Sequence, residues 1–409
     1  MPAVADHTEL KDRARAHPGI ARVAQALAGV RGCWLVGGAV RDLMLGGHPL
    51  DLDVVVEGDA LAAAARAAEQ LGGAVTGHER FGTATVQAGQ LSFDLAGARR
   101  ERYPAPGALP DVEPASLAQD LKRRDFTVNT IALGVSPDVE GHVLAGPDAE
   151  EDLRTGQLRV LLDRSFVDDP TRLLRLARYG ARLSFEVEPA TAELAHAAVA
   201  SGALATISVA RVGTELRLLG AEPDAPQALA RLEALGADRA LHPQFQARPG
   251  RAREALDAAG PDARRDLVAI AACATEFDPE TLRGWLDAME FERGPREALV
   301  AAALDGARLA HALMAAGSHG QVAALAGGRP AEQLALAAAQ GAREPVDLWN
   351  RELRHVELEI SGDDLLAAGV PAGPRIGAGL AAALEGKLDG RAQGREAELR
   401  VAVEAAGRS

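Results

Sequence analysis

Asp51 and Asp53 stand two residues apart at the head of the apolar run Val54-Val55-Val56. In an extended strand, residues i and i+2 project to the same side, so this spacing brings two carboxylates close together. Such a pair repels itself unless a cation lies between. Mg2+ prefers carboxylate and phosphate oxygens, and metal held there activates an attacking hydroxyl and stabilises a leaving phosphate oxygen. Asp-x-Asp is a common pattern, and a solvated strand entrance with one capping aspartate satisfies the same letters. The residues upstream narrow the choice. Gly37-Gly38 separate the short apolar run Cys33–Val36 from a helical pattern over 39–45. A glycine pair between strand and helix lets backbone N–H groups approach phosphate, with the helix N-terminus helping. Arg41, one turn into that helix, is placed to reach a phosphate, and Asp42 reads as a partner for a nearby arginine. Asp94, on the strand-like run 92–95, is either a third carboxylate beside the pair or an ordinary polar strand residue.

Two further clusters carry charge. Arg123-Arg124-Asp125 precede Phe126-Thr127-Val128-Asn129. Adjacent arginines repel unless anions meet them, whether from a ligand or from Asp120 and Asp125. Asp168-Asp169-Pro170-Thr171-Arg172 continues through Arg175 to Arg178. On a helix, Asp169, Arg172 and Arg175 share a broad face, and the leucines between them turn to the core. The bland reading of that segment is an exposed salt-bridge ladder. Residues 154–182 hold seven arginines against three aspartates, which suggests a local basic track.

Taken in order, these stretches resemble the catalytic head of class II tRNA nucleotidyltransferases and the related bacterial poly(A) polymerases. The resemblance rests on Leu35–Asp42, Asp51–Val56, Arg123–Asn129 and Asp168–Arg178. It implies that Asp51 and Asp53 are catalytic and hold Mg2+. It implies a nucleotide site formed by Gly38, Arg41, Arg124, Asp169, Arg172, Arg175 and Arg178, with Asp169 and Arg172 as a protein template for the incoming base. A carboxylate accepts from the amino group of C or A, and a guanidinium donates to ring acceptors. The family usually has Glu before that Asp; Asp168 stands there instead, and its shorter side chain loosens the support that orients Arg172. Residues 98–110 are similar to the family's flexible loop, which helps to switch specificity from C to A. Arg99, Arg100, Arg102 and Tyr103 are the residues with which it would contact the head. Ile360–Leu366 and Gly369–Gly377 look like its tail-domain turn and helix. The resemblance spans roughly 30–215 and 356–390, and no His-Asp phosphohydrolase motif is seen.

The activity it implies is addition of CMP and AMP from CTP and ATP to the tRNA 3′ end. Alternatives are A-only addition, a poly(A) polymerase, and a catalytically silent RNA-binding module. The intact Asp51/Asp53 pair argues against the last. Partners are then tRNA, through its acceptor end, with ATP and CTP. Oligomeric state stays open.

The elements that must position these groups are a small mixed-sheet head and many helices. The expected fold class is α+β: a nucleotidyltransferase head over 1–150, a helical neck with the template motif over 151–215, a helical body over 216–350, and a helical tail for tRNA over 351–409. Helices are expected over 8–28 and 60–71, and mostly over 116–133. Strands are expected over 33–36, 52–56, 83–86 and 91–95. Four prolines between Arg99 and Pro114 mark a loop. In 409 residues only 3% are aromatic, and alanine and leucine fill the apolar positions, which favours helices. The net charge of −14 argues against bulk polyanion binding, so RNA contact must be local. Cys33 and Cys273 give neither a disulfide framework nor a zinc pattern. With no signal-like N-terminus and no long apolar run, a cytoplasmic protein without membrane association is expected.

Overall fold

The computed structural model describes residues 4–78 and 82–408. The chain divides into two compact units, Met1–Ile207 and Ser208–Ser409. The expected head and most of the expected neck fall in the first unit, and the body and tail in the second.

Two short helices open the first unit, α1 (His7–Ala16) and α2 (Pro18–Ala26), where one helix was expected. Pro18 lacks an N–H and cannot continue a helix, but it suits a first helical turn. The His17 ring caps the new start by accepting from the Ile20 N–H at 3.3 Å. Strand β1 (Cys33–Val36) then leads through Gly37 into helix α3 (Gly38–Met44). Strand β2 (Asp53–Val56) is followed by helix α4 (Ala60–Leu71), whose N-cap is Asp59. Strands β3 (Ala74–His78), β4 (Thr83–Ala88) and β5 (Leu91–Gly97) follow.

The stretch expected to be a loop is instead a hairpin, β6 (Arg99–Arg102) with β7 (Asp111–Pro114). Its prolines 104, 106 and 110 lie in the connecting segment, and Pro114 closes β7, so none removes a hydrogen bond from mid-strand. The helix expected over 116–133 is cut to α5 (Leu117–Leu121) and a short 3₁₀ turn, and strand β8 (Ile131–Gly134) takes the rest. Strand β9 (Val143–Ala145) completes the main sheet.

That sheet has seven strands in the order β3-β4-β5-β2-β1-β8-β9. All neighbours are antiparallel except β2 and β5, which are parallel. Strand parity explains the placement of the site. Asp53 and Val55 point to one face of β2 and Val54 and Val56 to the other. Val55 joins Trp34, Val36, Ala98, Leu117, Leu121 and Ala132 in a buried cluster. Helix α5 therefore covers that face over part of its length, and Asp53 stands exposed at the uncovered end.

Beyond the sheet, helices α6 (Ala149–Thr155), α7 (Ser165–Asp168), α8 (Thr171–Leu183) and α9 (Pro189–Ala200) complete the first unit. Helix α8 buries Leu173, Leu174, Leu176, Ala177 and Ala181. The second unit is helical throughout its described length, from Val209–Gly220 to Arg395–Arg408. Its longest helix is the 22-residue Arg293–Met314. The helical run through 331–351 is kinked at Gln340 and Gly341, where Gly341 has φ of 110°. Near its C-terminal end, Lys387 bonds the fully buried Glu398 carboxylate at 2.8 Å, pinning two helices together. Among the described residues no helix is long and apolar enough to cross a membrane.

Candidate active site

Strand register brings the carboxylates together. Asp53 on β2 lies opposite Asp94 on β5, and Asp94 lies opposite Thr85 on β4. The Thr85 hydroxyl donates to Asp94 Oδ1 at 2.5 Å, which fixes that carboxylate's orientation. Asp51 precedes the strand, with Leu52 buried between two exposed aspartates, and its charge reaches Asp53. Crowding by the surrounding protein, then the Asp94 and Asp51 charges, push the Asp53 carboxyl above its ordinary range, against the pull of Arg124 and Arg175.

A cavity of about 720 Å³ opens over Asp53 and Asp94. Arg99, Arg123, Arg124, Arg172 and Arg175 line it together with Glu101, Asp125 and Asp169, and so do His78, Thr83, Ala84 and Thr85. Of the nine residues anticipated from sequence, Asp53, Arg124, Asp169, Arg172 and Arg175 line this space. Asp51, Gly38, Arg41 and Arg178 do not.

The fate of each arginine follows from its neighbours. Arg41 was expected on a phosphate, yet its guanidinium is only 2% exposed. It donates to Asp42 Oδ1 at 2.9 and 2.7 Å and to Asn129 Oδ1 at 2.7 Å. Burial in that hydrogen-bonded pocket makes it a tie between α3 and the Arg123–Asn129 segment. Gly38 lies directly over it, since a Cβ there would come within 3.3 Å of Arg41 Nη2. The neighbouring Gly37 takes φ of 67°, and a Cβ on it would meet Arg124 Nη1 at 3.1 Å. Gly37 thus gives Arg124 its room beside the cavity, and Gly38 gives Arg41 its own.

Asp120, fully buried on α5, holds both arginines of the pair: Arg123 at 2.8 Å and Arg124 at 3.0 Å. Arg124 Nε is buried without a hydrogen-bond partner in the protein. Arg175 is held by Asp125, with bonds of 2.9 and 2.7 Å to Oδ2. Burial alone would raise the Asp125 carboxyl, but Arg175 and the Asn129 amide outweigh it and hold it well below the usual carboxylate range. Arg172 is almost fully buried and donates to Ser165 Oγ at 3.1 Å and to the Arg123 carbonyl at 2.8 Å. Asp168, expected to leave Arg172 more loosely supported than a glutamate would, accepts from Arg164 at 2.9 Å. Asp169, two residues before Thr171 at the start of α8, accepts from the Thr171 N–H at 3.2 Å and hydroxyl at 2.6 Å. Arg178 is buried against Tyr179, whose ring also meets Arg41, Arg175 and Arg182 within 6 Å.

The basic track expected over 154–182 does not form as one exposed strip. Arg154 pairs with Glu151, Arg159 with Asp152 and Glu188, and Arg164 with Asp168. Glu151, Asp152 and Glu188, three of these partners, lie just outside residues 154–182. The cavity is lined by five arginines beside Asp53, Asp94, Glu101, Asp125 and Asp169.

Sequence reasoning named Asp120 as a partner for the two arginines, three and four residues away, and passed over the positioning roles of Glu101 and Thr85, which left no local signal.

The carboxylates suit a hard divalent cation. Among the described residues no three His, Cys, Asp or Glu side chains form a ready cage. Mg2+ is commonly held by one or two carboxylates, with substrate phosphates and water filling the rest of its sphere. The mutual repulsion that raises Asp53 is what a cation relieves. A cavity of this size suits a nucleotide-sized ligand.

The chain resembles known proteins over its whole length. Residues 33–159 match the Poly A polymerase head domain. An A-adding tRNA nucleotidyltransferase of Geobacter sulfurreducens is 33% identical over 396 residues, covering 91% of this chain and 45% of that protein. A CC-adding tRNA nucleotidyltransferase of Deinococcus radiodurans is 41% identical over 208 residues, covering 51% of this chain and 54% of that protein. The chain thus spans about half the length of these curated relatives. The Thermotoga maritima CCA-adding enzyme complexed with tRNA superposes with a TM-score of 0.77 at 27% identity, covering 99% of both chains. The head-domain match, these likenesses and the cavity shared by carboxylates and arginines make the chain similar to the tRNA nucleotidyltransferases and poly(A) polymerases.

Proposed function

We propose that this chain transfers nucleotides to the 3′ end of tRNA without a nucleic-acid template, adding CMP and AMP from CTP and ATP to build CCA. The observation that carries this reading is the single cavity in which Asp53 and Asp94 face Arg124, Arg172 and Arg175. A polyphosphate needs the arginines, and the carboxylates need a cation that also touches phosphate. Asp51 and Asp53, with Asp94 beside them, would hold Mg2+, which supplies charge neutralisation for the reacting phosphate and activation of the attacking hydroxyl. Arg124 and Arg175 bind and orient the triphosphate. Asp169 and Arg172 present an acceptor and donors to the base edge, and the buried supports of Arg172 limit which edge fits. Arg41 and Arg178 support these groups from below, and Gly38 leaves room for Arg41. The helical second unit is the remaining surface for tRNA, read by shape as double-stranded RNA usually is.

Addition of the final A is favoured by the segment 103–110, of which Tyr103, Leu109 and Pro110 line the cavity. A second reading, addition of A alone, is favoured by the Geobacter relative, which aligns along nearly the whole chain and bears the name A-adding. The decisive assay uses tRNA transcripts ending at the discriminator base, after the first C and after the second C, with CTP and ATP together and singly. Growth of the shortest transcript to CCA supports the proposal. Growth only from the CC end means an A-adding enzyme, arrest after CC a CC-adding one, and long A tails a poly(A) polymerase.

A further inference from the structure

Glu101 is a buried carboxylate on the edge hairpin, and nothing in the transfer reaction described above requires it. Its side chain is 6% exposed. Oε1 accepts from Arg123 Nη1 at 2.7 Å and from Arg99 Nε and Nη2 at 3.2 Å each. Oε2 accepts from the Tyr103 hydroxyl at 3.0 Å. All four residues line the cavity.

A carboxylate taken out of water is costly unless its lone pairs are filled, and here every bond is charge-assisted and all but one come from a guanidinium. The arrangement therefore locks three donors into one geometry. Two of them lead to the base-selecting end. Arg123 supplies the main-chain carbonyl that accepts from Arg172 Nη2 at 2.8 Å. Tyr103 is pushed up in its phenol ionisation by burial and by the Glu101 charge, and it lies within electrostatic reach of Arg172 and Asp169. Beyond Tyr103 the hairpin crosses to the other flank of that pair, where the Gly107 N–H donates to the Val167 and Asp168 carbonyls at 3.3 and 3.2 Å. The Asp169/Arg172 pair is thus held on one side through Arg123 and on the other through the hairpin tip. Glu101 is the point where the hairpin and the Arg123 segment join.

We infer that Glu101 is a positioning residue for nucleotide selection, setting the width of the base-reading end of the cavity by tying the hairpin to Arg123. This rests on the proposed reading that Asp169 and Arg172 select the base. The charge pattern makes the requirement chemical and not only spatial. Glutamine in this position would turn an NH2 group toward a donor, either Arg123 or Tyr103, and aspartate would fall short of one of them. Arg123 would then relax toward Asp120, the carboxylate it already shares with Arg124. The Arg172 carbonyl partner would move with it.

The test measures kcat and KM for CTP, ATP, UTP and GTP on a tRNA transcript for the wild type, Glu101→Gln, Glu101→Asp, Tyr103→Phe and Arg172→Ala, with melting temperatures alongside. Glu101→Gln is expected to reduce the preference for C and A over U and G by about tenfold, as loss of one buried charge-assisted bond implies. The preferred nucleotide should lose mainly through KM, since its bound geometry is loosened. Tyr103→Phe, which removes one bond and leaves the ion pairs intact, should give a smaller change in the same direction; it also serves if Glu101→Gln does not fold. A merely structural Glu101 would lower the melting temperature and leave the preference ratio unchanged, and that result overturns the inference. If Arg172→Ala loses selectivity while all three hairpin variants keep it, Glu101 has no part in selection although the base-reading pair stands. If Arg172→Ala itself keeps selectivity, the underlying reading fails and this inference falls with it.

Discussion

Replacing Asp125 by alanine probes the ion pair that holds Arg175 at the cavity. The carboxylate is 9% exposed and takes two bonds from Arg175, at 2.9 and 2.7 Å, and one from Asn129 at 2.9 Å. Removing one member of a buried pair typically costs about 3–5 kcal/mol, because the other charge is stranded. Arg175 keeps 29% of its side chain exposed and faces the cavity, so its freed guanidinium can reach water. The lower end applies, about 3 kcal/mol. For a unit of this size each kcal/mol lowers the melting temperature by roughly 2–4 °C, so the expected fall is about 6–12 °C at neutral pH. The pH dependence has a definite sign. The folded-state carboxyl lies below its unfolded value, so its contribution is fully present above the ordinary aspartate range and is lost as pH falls through the folded value. The gap between wild type and Asp125→Asn should therefore be flat from about pH 8 down to pH 5 and narrow only in strongly acidic buffer. Scanning calorimetry across that range measures both. A fall of less than about 2 °C at neutral pH, or a gap that widens on acidification, would refute the reasoning. Released Arg175 should also raise KM for the nucleotide in Asp125→Asn, and an unchanged KM would mean that Arg175 does not touch phosphate.

Asp53→Asn should abolish transfer while raising the melting temperature in metal-free buffer, because a carboxyl pushed above its ordinary range destabilises the fold once ionised. Mg2+ should stabilise the wild type more than this variant; equal stabilisation, or transfer within tenfold of wild type, would sink the metal assignment. Gly107→Ala should unseat the hairpin tip, since φ is 69° and a Cβ would meet Thr206 Oγ1 at 2.3 Å. Limited proteolysis should then cut within 103–110 faster than in the wild type, and an unchanged digestion pattern would mean that the tip is not held by this contact.

The sequence by itself carried what depends on short spacing. Asp51 and Asp53 read as a close carboxylate pair because a two-residue spacing is local, and Gly37-Gly38 read as a turn into a helix because glycine and helix signals are local. The order of motifs was enough to point to the family and to the α+β class. Local reading failed where a segment's state is decided by its neighbours. Residues 99–114 form a hairpin because Arg99–Arg102 finds Asp111–Pro114 across the turn, and residues 131–134 become a strand because β1 lies beside them. The same limit governed the charges. Whether an arginine is bare or neutralised depends on which carboxylate the fold brings to it. Arg175 meets Asp125 and Arg123 meets Glu101 across long stretches of the first unit, whereas Arg41 is neutralised by its neighbour Asp42 and tied to the distant Asn129. Asp94 joins Asp53 only because β2 and β5 pair in parallel with those two residues in register. Strand register and ion pairing are long-range choices made by the packing of the whole sheet, and no spacing within one segment encodes them.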